Sequence, residues 1–277
     1  NPELAGIDYR ANQGFSNFAG LNLVLRRRSP AWFLQASYTW SHAIDNQSDP
    51  LAGAFLDLGF IGNSTSDPLR AQAAFSKQFD AKGDRGNSDF DQRHNLVVLG
   101  SWSIPSFYAA RSLTGGWRIS MLSTVRSGLP FTVFAPTEGS SLINRRANYL
   151  GGTVRSEGLV PGGLQWLNAS AFAIPTAGAQ GNLGRNSLRA AGFYSLDLSL
   201  ARTLRIPVLG EYGALTIRGD AFNLLNHANL DSPQNVVGSS NFGVALFGRH
   251  GVSSAFPASA PLDETPRRIQ VALRIEF

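Results

Sequence analysis

Cysteine is absent from this 277-residue chain, so the chain can form neither a disulfide framework nor a thiolate metal site. Charged residues are also scarce, at 16% of the chain against about 25% in ordinary soluble domains. No apolar run approaches the roughly 20 residues that a membrane-spanning helix requires. These shortages exclude a disulfide-stapled module and a helical membrane protein, and they leave a soluble β-protein and a membrane β-barrel as alternatives.

The basic residues are spread along the chain and give it a net charge of +5. Their densest group is the run of three arginines at 26–28. Proteins that bind nucleic acid gather their basic residues on one face or along one helix. We therefore expect no nucleic-acid partner.

Seven segments alternate apolar and polar residues with a period of two, which predicts β-strands with two different faces. A soluble β-sandwich would bury the apolar face in a core, whereas an outer-membrane barrel would turn it towards lipid. The segments are residues 18–26, 32–41, 95–104, 117–128, 194–201, 214–222 and 266–277.

The connections between these segments alternate in length. Short turns follow the first, third and fifth segments, whereas 43–93, 128–192 and 224–265 are long, weakly patterned and rich in Gly, Ser, Asn and Pro. Long structureless loops argue against a compact soluble domain. Short periplasmic turns and long extracellular loops are typical of an antiparallel, up-and-down transmembrane β-barrel, so we predict an all-β barrel located in the bacterial outer membrane.

The aromatic and polar residues of the segments agree with this interpretation. Aromatic rings collect at the two membrane–water boundaries, and an arginine facing lipid at mid-depth would cost about 2–4 kcal/mol. The predicted lipid-facing aromatic belts contain Trp32, Trp102, Trp117 and Phe277 at the periplasmic boundary and Tyr38 and Trp40 near the outer one. The predicted lumen-facing residues are Gln35, Arg118, Arg126, Asp197, Arg218, Asp220, Arg274 and Glu276.

Seven strands cannot close a bacterial barrel, because single-chain barrels have even strand numbers and an open sheet leaves two unpaired edges. The chain also begins with "NPELAG", without an initiator methionine or a signal peptide. We therefore expect residues 1–277 to be the C-terminal part of one larger barrel domain, with its other strands upstream.

Five stretches of the chain carry a further signal. They are "SDFDQRHNLVVLGSWSIP" (88–105), "LTGGWRISMLSTVRSGLPFTV" (113–133), "GNLGRNSLRAAGFYSLDLSLARTLRI" (181–206), "FNLLNHANL" (222–230) and "RRIQVALRIEF" (267–277). Together, and in this order, they resemble the C-terminal barrel of TonB-dependent outer-membrane receptors. The resemblance is greatest to the Oar-like branch, whose members carry a carboxypeptidase-regulatory-like domain at the N-terminus.

The resemblance implies a 22-stranded barrel with an N-terminal plug, energised through contact with TonB. It also implies that Phe277 is read by the barrel-assembly machinery, and that the receptor imports a ligand too large for porins. The plug, the TonB-contact segment and the N-terminal domain are not found in these 277 residues, so the chain would supply wall, lumen surface and outer loops. Peptide, carbohydrate and siderophore remain open as ligands, with the branch favouring the first two.

Particular residues suggest other functions. A passive or structural barrel is the main alternative, and a rim enzyme or metal site built from His42, His94 and Asp91 is a further one. The stretch "DRGNSDFD" (84–91) offers oxygen ligands for calcium but lacks the EF-hand order. Neither GxSxG nor HExxH occurs, and we assign no catalytic residue and no cofactor.

Overall fold

The computed structural model describes residues 12–48, 80–106, 114–136, 145–248 and 266–277. Within these ranges, three short 3₁₀ turns lie at Ala81–Asp84, Ala169–Ala171 and Pro207–Leu209, and no described helix has the length and hydropathy needed to cross a bilayer. The strands within these ranges are β1 (Ser16–Arg28), β2 (Trp32–Asp45), β3 (Gly86–Asn87), β4 (His94–Ser103), β5 (Trp117–Arg126), β6 (Pro130–Phe131), β7 (Asn148–Tyr149), β8 (Arg155–Val160), β9 (Gly163–Leu167), β10 (Phe172–Ala173), β11 (Leu188–Arg189), β12 (Phe193–Arg205), β13 (Ala214–Phe222), β14 (Val244–Leu246) and β15 (Arg268–Glu276).

The main sheet contains seven long antiparallel strands in the order β1-β2-β4-β5-β12-β13-β15, and the short β3 pairs with the end of β2. The long strands therefore pair in the order in which they occur along the chain, as in an up-and-down barrel. Each of the seven predicted segments corresponds to one of them. The sixth has the predicted bounds, and the others differ by a few residues at their ends.

The register assigns every residue of the sheet to one of two faces, because directly opposed residues in an antiparallel pair share a face. Directly opposed residues form rows across the sheet. A row on one face is apolar and aromatic, whereas a row on the other face is polar, so the alternation along each strand matches that of the strands beside it. The apolar row is Leu23–Tyr38–Leu96–Val125–Tyr194, and a polar row is Ser101–Ser120–Ser199–Asp220–Gln270.

The connections also separate by length. The residues between β1 and β2, β4 and β5, and β12 and β13 number three, thirteen and eight, namely 29–31, 104–116 and 206–213. All three lie at one end of the sheet, since the strands alternate in direction. The long connections, 46–93, 127–192 and 223–267, lie at the opposite end. The predicted arrangement of short turns and long loops is confirmed.

The sheet is open. Within the described residues β1 pairs only with β2, and β15 pairs only with β13. Both strands are exposed along almost their whole length. These seven strands therefore do not close a barrel, as their odd number predicted.

The long connections do not match the structureless loops expected from their composition. Their described parts fold into a layer beyond the outer ends of the long strands, which we call the outer layer: residues 127–136, 145–192 and 226–248. It contains the small sheets β6–β11, β7–β10 and β8–β9–β14. The expectation was wrong here because strands of two to six residues are too short to display a period. The outer layer has its own hydrophobic core, made of Phe131, Val133, Ala147, Leu167, Ala171, Phe172, Leu183, Ala190 and Phe242.

Candidate functional site

The two predicted sets of facing residues lie on opposite faces of the main sheet. Trp32, Tyr38, Trp40, Trp102 and Trp117 share the apolar face, in register with the leucines of β1 and β12. Phe277 follows β15 and is 93% exposed. The other face carries Gln35, Arg118, Arg126, Asp197, Arg218, Asp220, Arg274 and Glu276, together with some apolar residues such as Leu99 and Leu122.

Polar residues on the second face bind one another. Arg218 and Asp220 form a salt bridge of 2.7 Å, and Arg274 and Glu276 form one of 2.8 Å. The Arg126 side chain donates to Asn95 at 3.2 Å. Each pair joins two residues of the same face, and the charges of Arg218 and Asp220 in β13 are thereby satisfied within the sheet.

The candidate rim residues have separate partners. The His42 imidazole is hydrogen-bonded to the Asn87 amide at 3.1 Å, and His94 is hydrogen-bonded to the Tyr38 hydroxyl at 2.8 Å. Asp91 instead accepts bonds from Arg93, Arg189 and backbone. In the part of the chain that the structure describes, no three His or carboxylate side chains are arranged to hold a metal ion.

A cluster that sequence reasoning missed joins the first long connection to the outer layer. We call it the aspartate–arginine network. Its acidic members come from residues 45–91, and most of its basic members come from the segment 146–189. The members are Asp45, Asp84, Asp89 and Asp91 with Arg93, Arg146, Arg185 and Arg189.

Asp91 is the most buried member, with a side chain that is 0% exposed. It forms salt bridges with Arg189 and with Arg93, and it accepts the Ala43 backbone N–H at 2.8 Å. Burial alone would raise the pKa of the Asp91 carboxyl. The Ala43 N–H and the guanidinium groups of Arg189 and Arg93 outweigh burial and hold this pKa below its usual value.

Arg185 ties the outer layer to the end of β2. Its guanidinium donates to the Asp45 carboxylate at 2.7 Å and to the Ser48 hydroxyl at 2.6 Å, across 140 and 137 residues of chain. The approach depends on Gly86, because a Cβ built there would lie 2.4 Å from the Arg185 carbonyl oxygen. A residue without a side chain at 86 therefore lets the two segments touch.

Asn186 adds a neutral connection beside this ion pair. Its backbone is left-handed, with φ of 50°, a conformation that asparagine tolerates better than most residues. The buried side chain accepts from the Thr132 hydroxyl at 3.0 Å and donates to the Asn87 carbonyl at 2.8 Å. The segment 185–189 thus crosses from the outer layer to the first long connection by both charged and neutral bonds.

The acidic stretch that suggested calcium is therefore served by arginines. "DRGNSDFD" supplies Asp84, Asp89 and Asp91, and guanidinium groups contact all three. The only sequence signal was the density of charge in "SDFDQRH" and "GRNSLR". Partners 62 to 98 residues apart, such as Arg146 with Asp84 and Arg189 with Asp91, cannot be paired from local pattern.

An open surface pocket of about 460 Å³ lies in the outer layer, next to the segment that carries Arg185. This volume is within the range of small-molecule pockets. Its walls are mainly apolar, and the Asn182 amide within it is held by the Tyr149 backbone. The lining residues are Tyr149, Val154, Asn182, Leu183, Gly184, Ser187 and Leu188.

An up-and-down antiparallel sheet with one apolar face, short turns at one end and a folded layer at the other defines the wall of a membrane β-barrel. Comparison with known families agrees: a family model described as "Outer membrane beta barrel domain" matches residues 1–270. The chain belongs to this family, and its location is the bacterial outer membrane. No curated protein and no solved structure matches the chain.

Proposed function

We propose that this chain is the wall and outer surface of a TonB-dependent receptor of the Oar-like branch, which binds and imports a ligand too large for porins. The observation that carries the proposal is the outer layer. It has its own hydrophobic core, and buried ion pairs fix it to the strand ends. A barrel that serves only as a pore or as support does not require a surface held in one conformation, whereas a ligand-binding receptor does.

In this proposal the apolar face of the sheet contacts lipid and the second face lines the lumen. The membrane offers no water to pair a charge, so the ion pairs of the second face belong inside the barrel. The free edges of β1 and β15 require additional strands, because unpaired backbone groups are not tolerated in the hydrocarbon. In this proposal these strands, the plug and the TonB-contact segment belong to parts of the receptor outside this chain.

The stretches that carry the family resemblance support the proposal. "SDFDQRH" holds Asp89, Asp91 and Arg93, and "GNLGRNSLR" holds Arg185 and Arg189. The receptor-like sequence is therefore also the sequence that fastens the outer layer. The same resemblance assigns Phe277, exposed at the periplasmic end, to recognition by the barrel-assembly machinery.

The open pocket of the outer layer is the candidate contact point for the ligand. Its apolar walls and the Tyr149 ring fit a peptide side chain or the face of a sugar ring. Siderophores remain a third class. The proposal gives the chain a binding and transport role and no catalytic one.

Uptake in cells tests the proposal. Cells that express the complete parent protein are supplied with labelled peptides, oligosaccharides or ferric siderophores, with TonB either intact or deleted. We expect uptake of one class to depend on both the parent protein and TonB. Uptake that is unchanged by TonB deletion would contradict the proposal.

Conductance separates the receptor from a passive barrel. The purified parent protein in planar bilayers is expected to show little steady ion current, because a plug fills the lumen. A large steady current, together with TonB-independent uptake, would indicate a passive barrel instead.

A further inference from the structure

Two arginines lie on the apolar face of the main sheet. Arg27 continues the alternation of Leu21, Leu23 and Leu25 along β1 and opposes Leu34. Arg202 lies on β12, where it opposes Trp117 on one side and Ile217 on the other. Both arginines lie near the short-turn end of their strands, which is the periplasmic end.

Each of these guanidinium groups lies over a tryptophan ring of the neighbouring strand. The Arg27 guanidinium carbon is 5.1 Å from the centre of the Trp32 ring, and the Arg202 carbon is 5.2 Å from that of Trp117. The Arg202 Nε also donates to the Gly115 carbonyl, at 3.4 Å. Both strands therefore hold a guanidinium group over a tryptophan ring at the same end of the sheet, Arg202 directly opposite its ring and Arg27 diagonally from it.

The depth of these pairs determines what can surround them. An arginine on the lipid face costs about 2–4 kcal/mol at the bilayer midplane but only about 0–1 kcal/mol near the boundary. Tryptophan also prefers the boundary, at the level of the lipid headgroups. A guanidinium held there meets phosphate oxygens, which its fork of N–H groups binds in pairs.

We propose that Arg27 with Trp32, and Arg202 with Trp117, bind the phosphate groups of anionic phospholipids in the periplasmic leaflet. Charge complementarity identifies the occupant, since Arg27 and Arg202 both place a cation on the apolar face at this end of the sheet. The rings fix the direction of the cations, and the aliphatic stems of the arginines lie against lipid. The inference rests on the lipid-facing assignment of the apolar face, and it holds for an importer and for a passive barrel alike.

The chain offers a matched control for this inference. Arg28 and Arg205 lie on the same two strands and at the same end, but on the opposite face of the sheet. The double variants R27Q/R202Q and R28Q/R205Q therefore remove the same charge from the same region. They differ in which face loses the charge, and only R27Q/R202Q removes guanidinium groups that lie over tryptophan rings.

Native mass spectrometry of the delipidated parent protein measures the effect. Phosphatidylglycerol is titrated into the detergent solution, with zwitterionic phosphatidylethanolamine in a parallel series. We expect R27Q/R202Q to bind phosphatidylglycerol about fivefold more weakly at each site, the effect of one basic residue at an anionic surface. R28Q/R205Q is expected to bind it as the unmodified protein does, and phosphatidylethanolamine binding is expected to change little in either variant.

Three outcomes would overturn the inference. Unchanged phosphatidylglycerol binding in R27Q/R202Q removes it outright. An equal loss in both double variants indicates attraction to a generally basic end, with no built site. A loss confined to R28Q/R205Q reverses the assignment of the two faces, while TonB-dependent uptake, measured separately, still decides the proposed function.

Folding is checked by the heat-dependent change in gel mobility that intact barrels show. If R27Q/R202Q does not fold, R27Q alone decides the question. The Arg27 side chain is exposed and lies over the Trp32 ring. Its replacement therefore leaves the backbone pairing of β1 with β2 intact. Normal phosphatidylglycerol binding by a folded R27Q variant at its one site then overturns the inference.

Discussion

Asp91 and Arg189 are 98 residues apart in the chain and form a salt bridge in which the carboxylate is fully buried. Asp91 precedes β4 in the main sheet, and Arg189 ends β11 in the outer layer. The bridge therefore joins the barrel wall to the surface above it. Stability of the outer layer is expected to depend on this contact more than on any exposed charge.

Arg189→Gln is expected to loosen the outer layer while leaving the main sheet folded. Removing one partner of a buried ion pair costs about 3–5 kcal/mol, and we expect the lower end because Arg93 still neutralises Asp91. The amide of Ala190, which donates to the Leu129 carbonyl at 3.0 Å, reports the change. Its hydrogen exchange should become about 100-fold faster, the equivalent of about 3 kcal/mol. The exposed Arg28→Gln is the control, and equal acceleration in both variants would contradict the role of the bridge.

Acid is expected to release the same contact. The pKa of Asp91 is lower in the folded protein than in the unfolded chain, so its ionised form stabilises the fold. That stabilisation is complete above the unfolded pKa of about 3.9 and is lost as the pH falls through the lower folded pKa. Protease cleavage within 145–192, measured from pH 6 down to pH 2 with an acid-active protease, should rise in this window. Asp91→Asn should already be cleaved faster at pH 6 and should lose part of the pH dependence; a profile identical to that of the unmodified protein would exclude Asp91 as the titrating group.

A charge placed on either face of β4 tests the assignment of faces. Val98 lies on the apolar face near the middle of the strand, and Val97 lies beside it on the other face. Val98→Arg is expected to lower the free energy of unfolding in lipid vesicles by about 2–4 kcal/mol, because the cation would enter hydrocarbon. Val97→Arg should cost less, since its side chain would reach the lumen. Urea titration of the two variants decides, and a larger loss for Val97→Arg would reverse the faces.

Gly86→Ala is expected to separate the segment 181–189 from the end of β2. The new Cβ would lie 2.4 Å from the Arg185 carbonyl oxygen, so the backbone must move, at a cost of about 1–3 kcal/mol. Gly158→Ala is the control, because its Cβ would meet Gln165 at an ordinary 3.6 Å. Faster amide exchange around Arg185 in the first variant alone is the expected result. Similar exchange in both would show that the close approach is unimportant.

The main sheet was largely predictable because its information is local. Alternation along β2 and β13 assigns each side chain to a face of the sheet. The lengths of the connections show which strand ends lie together. The exact strand ends were less predictable. For example, β12 extends through Arg202 to Arg205, beyond the predicted end at 201, and so the arginine over Trp117 was not foreseen.

The candidate site was not predictable in the same way. The sequence suggested Asp91 as a partner of His42 and His94 and as one oxygen ligand of the stretch 84–91, but the structure gives it Arg93 and Arg189. The acids of 84–91 suggested calcium for the same reason, since nothing near them in the sequence pointed to Arg146 or Arg185. The position of a carboxylate in the sequence does not show whether it binds a metal ion or a guanidinium group, because that depends on its neighbours in space.

The sequence by itself determined that this protein is built from two-faced strands, because a period of two separates apolar from polar side chains whatever the strands pair with. Only the tertiary structure decided how its long connections behave. They fold into a layer because residues far apart in the chain meet there, through a small hydrophobic core and through salt bridges such as Arg185 with Asp45. Such contacts depend on distance in space, which local sequence pattern does not record.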